Sequence, residues 1–336
     1  MTRIQKKAKE RPSNTSPLRR VIKTDNTFAD YASLRASTGI IIPEVRKVLL
    51  DRKKTESGVV SRRKLYPSEM SRADWCPRAT YYRLSGMPDA PSSYSLQLEN
   101  VFAQGNAIHE KWQNWLAQTG KLWGDWKCSR CSEYVKDSLK PDENFGGSCV
   151  GTSWVNLHNY ITDINITKDE VFAHDWKYKE VTLKSTSLPL SGHADGGLVG
   201  HDALVELKSI SAGSFRFEAP KLFESHTHTL DGRKVTDIDS MWKDFHSPLT
   251  PHIKQGNLYL FMAKEMKLPF DRISFLYENK ANNQVKEFIV PYSYSIIEPI
   301  IETALKVTEA LADHTAPPCP RGGCSSCKFY DKQEDK

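Results

Sequence analysis

No stretch of the 336-residue chain approaches the ~18 consecutive apolar residues of a membrane-spanning helix. The amino terminus also lacks the apolar segment of a secretory signal. Both absences point away from a membrane partner and toward the cytoplasm. Several catalytic fingerprints are missing too. Without a G-x-x-x-x-G-K-[ST] loop, no nucleotide-driven motor is fused to the chain, so unwinding of a duplex would fall to a separate helicase. There is no G-x-S-x-G elbow, no dinucleotide-binding glycine pattern and no internal repeat. Charge of one sign is not abundant either. Forty-seven Lys+Arg against 41 Asp+Glu leave a net charge of +6, which permits a polyanionic partner without requiring one. Cysteine is sparse and odd in number, at seven, which excludes a paired disulfide framework in a chain with no secretion signal.

Enough apolar material is present, at 39% of residues, to build a real core. The length suits one large or two ordinary domains. Residues 1–42 read as a basic, disordered arm, with eight Lys/Arg in the first 25 positions against Glu10 and Asp25. A short amphipathic helix is expected from Pro43, and another after Cys76-Pro77. The clearest helical periodicity lies at 96–118, where Leu98, Val101, Phe102, Ile108, Trp112, Trp115 and Leu116 recur at three- and four-residue steps. The two Trp read as core residues, with base stacking as the other role open to them. Residues 122–152 break the pattern and read as an inserted ribbon. Strand-like runs fill 171–210, followed by an irregular segment at 213–247. A helix at 251–267, two β segments and a helix at 293–314 complete the order, before a Cys-rich tail at 315–330 and a last tail at 331–336. This is a mixed α/β domain, residues 43–330, around a central sheet.

The run Ala203-Leu204-Val205-Glu206-Leu207-Lys208 places a carboxylate and an ammonium on one face of an apolar strand, because alternate side chains share a face. A neighbouring strand, Ser191-Gly192-His193-Ala194-Asp195-Gly196, is joined by a short turn, so an antiparallel pair brings Asp195 toward Glu206. Two converging carboxylates repel unless a cation or proton joins them. Hard oxygen ligands suit Mg²⁺ or Mn²⁺, and an adjacent Lys suits hydrolysis of a phosphoryl group.

Gly105-x-x-x-His109, Gly192-His193-Ala194-Asp195, Glu206-x-Lys208 and Gln255-x-x-x-Tyr259, in that order, resemble the motif set of the RecB-like branch of PD-(D/E)XK nucleases. The stretch Tyr277-Glu278-Asn279-Lys280 is similar to phage members, and the resemblance spans about residues 67–330. It implies a PD-(D/E)XK core with a central mixed sheet flanked by helices. It implies His109, Asp195, Glu206 and the Leu207 carbonyl as metal ligands, with Lys208 as the catalytic lysine. Gln255 and Tyr259 would brace that lysine and contact a nucleic-acid strand.

Cys76-Pro-Arg-x-x-x-Tyr resembles the early cysteine motif of iron–sulfur members of the same branch, which include CRISPR-associated nucleases. The resemblance implies that Cys76 joins Cys319, Cys324 and Cys327 around a [4Fe–4S] cluster, a Zn²⁺ at the same four thiols being the alternative. Cys128, Cys131 and Cys149 resemble a degenerate zinc ribbon in the insert, with His158 or His174 open as a fourth ligand. Taken together the resemblance implies a metal-dependent deoxyribonuclease, an exonuclease on single-stranded or frayed DNA in recombination, repair or replication. Single-strand-binding or recombination proteins are the expected partners, in the cytoplasm of a bacterial host for a phage-borne chain. An endonuclease of the same fold, or a DNA-binding adaptor with structural clusters, are the alternatives.

Overall fold

A computed structural model describes residues 41–56, 64–87, 96–142, 149 and 173–334. The expected arm up to residue 40, much of the insert and His158 lie outside the described residues. The chain divides into Met1–Val60 and Ser61–Lys336. In the first unit, helix α1 (Ile41–Glu56) leaves Ile41, Ile42, Val45 and Val48 exposed.

In the second unit the chain forms α2 (Pro67–Met70), α3 (Pro77–Leu84) and the long α4 (Leu96–Gln118), then the strands β1 (Leu122–Cys128), β2 (Tyr134–Leu139), β3 (Trp176–Lys179), β4 (Val181–Lys184), β5 (Ser191–Ala194), β6 (Gly196–Leu198) and β7 (Ala203–Ile210). Short helices α5 (Ala212–Glu218) and α6 (Pro220–Ser225), a hairpin of β8 (Thr227–Leu230) and β9 (Arg233–Thr236), and α7 (Ile238–Lys243) lead to α8 (Thr250–Glu265). Strands β10 (Arg272–Asn279) and β11 (Val285–Pro291) and helices α9 (Tyr294–Ala312) and α10 (Ser325–Glu334) end the described chain.

The architecture is mixed α/β, as expected, with a central mixed sheet flanked by helices. Strand order is β11-β10-β7-β6-β1-β2, with β3 also paired to β1. Among the described strands of this sheet, β10 and β7 are the parallel pair, in register from Arg272↔Ala203 to Asn279↔Ile210. That parallel step requires a crossover, and α5 to α8 supply it. Helix α8 starts where the extended Leu249 precedes Pro251 in the first turn, a position that needs no amide donor. Helix α9 buries Ile297, Ile300, Ile301, Ala304 and Val307, a stripe at three- and four-residue steps. The main core gathers Leu204, Leu258, Tyr259, Ile273, Phe275 and Tyr277 between β7, β10 and α8.

Two elements depart from the expected pattern. Leu122–Cys128, read as the start of an insert, is a strand of the central sheet. It pairs with β6 through Leu122↔Leu198 and with β3 through Asp125↔Lys179, with β2 along its other side. A register shift between Gly124 and Trp126 hides the strand's two-residue period. The residues after 330, expected as a tail, continue helix α10 as far as Glu334.

Candidate functional site

The expected strand 191–196 is broken at Asp195. Strand β5 pairs with β4 in a separate two-stranded sheet, whereas β6 pairs with β7 in the central one. Asp195 is the single residue between them and is buried. Pairing of β6 with β7 stops at Gly196↔Val205. Beyond that point the Leu207 amide donates to Asp195 Oδ2 at 2.6 Å in place of a ladder partner. The other oxygen, Oδ1, lies 3.0 Å from His109 Nδ1. Gln113, one helical turn after His109, donates to the Asp195 carbonyl at 3.3 Å.

Glu206 and Lys208 share the face of β7 that looks toward α8. Lys208 Nζ donates to Glu206 Oε1 at 2.7 Å and to Gln255 Oε1 at 3.0 Å. The Gln255 amide donates to Glu206 Oε1 at 3.1 Å and to the Tyr259 hydroxyl at 2.8 Å. Gln255 and Tyr259, four apart on α8, therefore act as one unit behind the lysine. Glu206 Oε2 is buried and has no hydrogen-bond partner among the described residues. Burial first, and then the Asp195 charge, push Glu206 up to about 7 against the lowering pull of Lys208. Burial works against a charged His109, but its bond to Asp195 and the charges of Asp195 and Glu206 raise it above the ordinary histidine value.

Helix α4 brings His109 to the other side of β7. Gly105 makes the approach possible, since a Cβ there would stand 3.3 Å from Ser209 Oγ. The helix is held from β10 and the turn after it. Lys111 Nζ and Trp112 Nε1 both reach Glu278 Oε2, each at 2.6 Å, and Lys280 Nζ donates to the Val101 carbonyl at 3.0 Å. The Tyr277–Lys280 stretch thus has an anchoring task. Its acceptor role for Lys111 carries no local sequence signal, because the partners lie 167 residues apart. The expectation that Trp112 and Trp115 are core residues is corrected. None of its residues is fully buried, and Phe102 and Trp115 are half exposed.

A cleft of about 700 Å³ opens beside the Glu206–Lys208 face, lined by Gln255, His252, Lys254, Arg72, Glu218 and Phe217, among others. Phe217 is 81% exposed. His252 was not anticipated. Its Nδ1 lies 2.8 Å from the Tyr277 hydroxyl and its Nε2 3.3 Å from Glu218, while burial and the Lys208 charge lower its pKa.

Two groups of described residues hold candidate ligand atoms within 4.8 Å of one another, and both are built on cysteine; His109, Asp195 and Glu206 are not so closely gathered. The first group is Cys76, Cys319, Cys324 and Cys327, the four thiols expected together. Cys76 Sγ stands 3.7 Å from Cys319 Sγ, and Cys324 Sγ 3.6 Å from Cys327 Sγ. Burial pushes Cys76 up to about 12. Against the same effect, the Arg321 and Gly323 amides draw Cys319 down to about 6. The Arg and Tyr of the Cys-Pro-Arg-x-x-x-Tyr motif have a shared purpose, because Arg78 Nε and the Tyr82 hydroxyl each donate to Asp331 Oδ1 at 2.9 Å. They fasten α10 to α3 beside the cysteines. The second group is Cys128, Cys131, Cys149 and His174. Both groups have the donor chemistry to hold a metal ion.

No protein-family model matches the chain, and no curated protein matches it in sequence. Among solved structures it is similar to the crystal structure of SSO0001, at TM-score 0.35 and 14% identity, over 81% of this chain and 88% of that one. It is also similar to the alkaline exonuclease LHK-Exo from Laribacter hongkongensis, at TM-score 0.29 and 10% identity, over 82% of this chain and 95% of that one. At such scores neither likeness bears on the fold or the chemistry of this chain.

Proposed function

We propose that this chain is a divalent-metal-dependent DNA nuclease of the RecB-like PD-(D/E)XK type, acting as an exonuclease on single-stranded or frayed ends. The supporting observation is the buried Glu206 oxygen with no partner. The Asp195 charge acts on Glu206, and the other Glu206 oxygen is bound by a lysine braced by Gln255 and Tyr259. A carboxylate oxygen kept from water without a donor is costly, and a cation removes the cost. By donor chemistry Asp195, Glu206 and the Leu207 carbonyl would offer hard oxygens and His109 a nitrogen to Mg²⁺ or Mn²⁺, these side chains drawing together to share one ion. Such an ion polarises a phosphoryl oxygen and acidifies bound water.

The chain's own residues supply the rest. Lys208 places its positive charge where negative charge develops in phosphoryl attack. Gln255 fixes that ammonium through its oxygen and is itself fixed by Tyr259. The Leu207 amide and His109 hold the Asp195 carboxylate in one orientation. In the cleft, Lys254 supplies positive charge for phosphates, Arg72 being paired with Asp74, and exposed Phe217 offers a face for stacking a base. The products would be a 5′-phosphate and a 3′-hydroxyl.

The test is digestion of 5′- and 3′-labelled single and double strands with Mg²⁺ or Mn²⁺. Metal-dependent release of nucleotides, lost in Lys208→Ala and Glu206→Ala variants of unchanged fold, is the expected result. Equal digestion by wild type and both variants would reject the assignment. DNA binding with no digestion at all would favour the non-catalytic adaptor instead.

In this proposal the Cys76 group is a structural fastener. Four thiolates suit either a [4Fe–4S] cluster or one Zn²⁺.

A further inference from the structure

Three cysteines near the end of β1 leave the sequence short of a complete ligand set, and the fold supplies the fourth member. Cys128 closes β1, Cys131 sits in the turn toward β2, Cys149 joins them in space, and His174 stands two residues before β3. Pairing of Cys128 with Trp176 across β1 and β3 carries His174 to the thiols. Cys128 and Cys149 are fully buried, and the His174 side chain is 1% exposed.

The distances within this group have a specific size. For Zn–S of about 2.3 Å and Zn–N of about 2.05 Å at a tetrahedral angle, two sulfurs stand about 3.8 Å apart and a sulfur and a nitrogen about 3.6 Å apart. Cys128 Sγ and Cys149 Sγ are separated by 3.7 Å, and Cys131 Sγ and His174 Nδ1 by 3.5 Å. A disulfide would need about 2.05 Å and is not formed. The ring is oriented as a ligand would be. Its Nδ1 points among the sulfurs, and its Nε2 has no hydrogen-bond partner and faces Glu133 Oε2 at 3.7 Å. An outer carboxylate facing the free ring nitrogen is the usual support for a metal-bound histidine. Trp176 stacks on the imidazole with centroids 4.7 Å apart, which fixes the ring plane.

We infer that Cys128, Cys131, Cys149 and His174 form a closed Cys₃His site for one structural Zn²⁺, with His174 binding through Nδ1 and Glu133 as its outer support. Three thiolates and an imidazole are soft and borderline donors that select zinc over Mg²⁺ or Ca²⁺. Four protein ligands leave no open position for water, so the ion is not hydrolytic. Its task is to tie β1, β2 and β3 together at the outer end of the central sheet, where only a small cluster around Leu122, Trp126 and Trp176 is buried. The site stands independently of the nuclease reading, since none of its ligands touches Asp195 or Glu206.

The first measurement uses the unaltered full chain. Alkylation under native conditions, mapped by peptide mass, should leave Cys131 unmodified until a zinc chelator is added, and then modify it with release of zinc. Cys131 is only partly buried, so protection there reports the ion rather than burial. Modification of Cys131 before chelation, or release of a metal other than zinc, would overturn the site. The second measurement is metal content. Cys131→Ser and His174→Ala should each lose one equivalent of zinc per chain relative to wild type, and unchanged zinc in both would overturn it. Should either variant fail to fold, the alkylation result decides.

Discussion

Glu206 has one oxygen committed to Lys208 and Gln255 and the other to nothing, so its charge is tolerated only with help. Its acidity in the fold, about 7 against an ordinary 4.5, fixes a sign. Between those values the folded protein holds a proton that the unfolded chain has released, so stability falls as pH rises through that window. In buffer free of divalent cations, the thermal midpoint of wild type should therefore drop from pH 4.5 to 7 relative to Glu206→Gln, which has no proton to lose. Added Mn²⁺ should shrink the difference; parallel melting curves for the two proteins at every pH would contradict this. For activity, Lys208→Ala should lower cleavage at least about 100-fold, the scale of removing one preorganised charge at a reacting centre. Phe217→Ala should weaken single-strand binding by roughly 1–3 kcal/mol if a base stacks there, read by fluorescence titration. That Glu206 and Lys208 share one face of β7 and that Asp195 borders an antiparallel neighbour of that strand were legible in the sequence, because strand alternation and a short turn are local rules. Glu278 beneath Lys111 and His252 against Tyr277 were not, because nothing near them in the chain announces a partner so distant.

Elements were legible where one period ran undisturbed. Helix α8 and the pair β10 and β11 follow the expected limits within a few residues for that reason. Strand β1 was read as insert because its register shift interrupts the alternation and its last residue is a cysteine. Helix α4 was read correctly as a helix, but its two Trp were read as core residues and neither is fully buried. Periodicity reports an apolar face but not what lies against it, and here the helix is held largely by polar anchors, Lys111 and Trp112 to Glu278 and Lys280 to a carbonyl. Close approach between elements is equally hidden. At Gly192 on β5 a Cβ would come within 2.7 Å of the Tyr259 ring on α8. Gly192→Ala should displace that ring, cost about 1–3 kcal/mol as overpacked interiors do, and reduce cleavage through loss of the brace behind Lys208. Chemical denaturation and the cleavage assay together check it; an unchanged midpoint with unchanged rate would refute the packing argument.

Across the whole molecule, the early helix α3 and the late helix α10 meet at Asp331 and at the Cys76 group. Tyr82→Phe keeps the ring stacked on Tyr330 but removes the hydroxyl donated to Asp331. It should cost about 0.5–1.5 kcal/mol, seen as faster hydrogen exchange in Ser325–Glu334. The metal at that group is settled by colour: brown protein with bound iron is expected for the cluster, and colourless protein with stoichiometric zinc would replace it by a single ion. A last consequence concerns the joint at Asp195. Because one residue alone separates a strand of the small sheet from a strand of the large one, neither side has any slack. Lengthening the chain there by a single amino acid would turn the side chains of β6 to the opposite face of the sheet. Deleting one would do the same, whereas the exposed turn at Val199–Asp202 has room to absorb either change. Any functional lineage of this chain should vary in length at that turn and never at the joint.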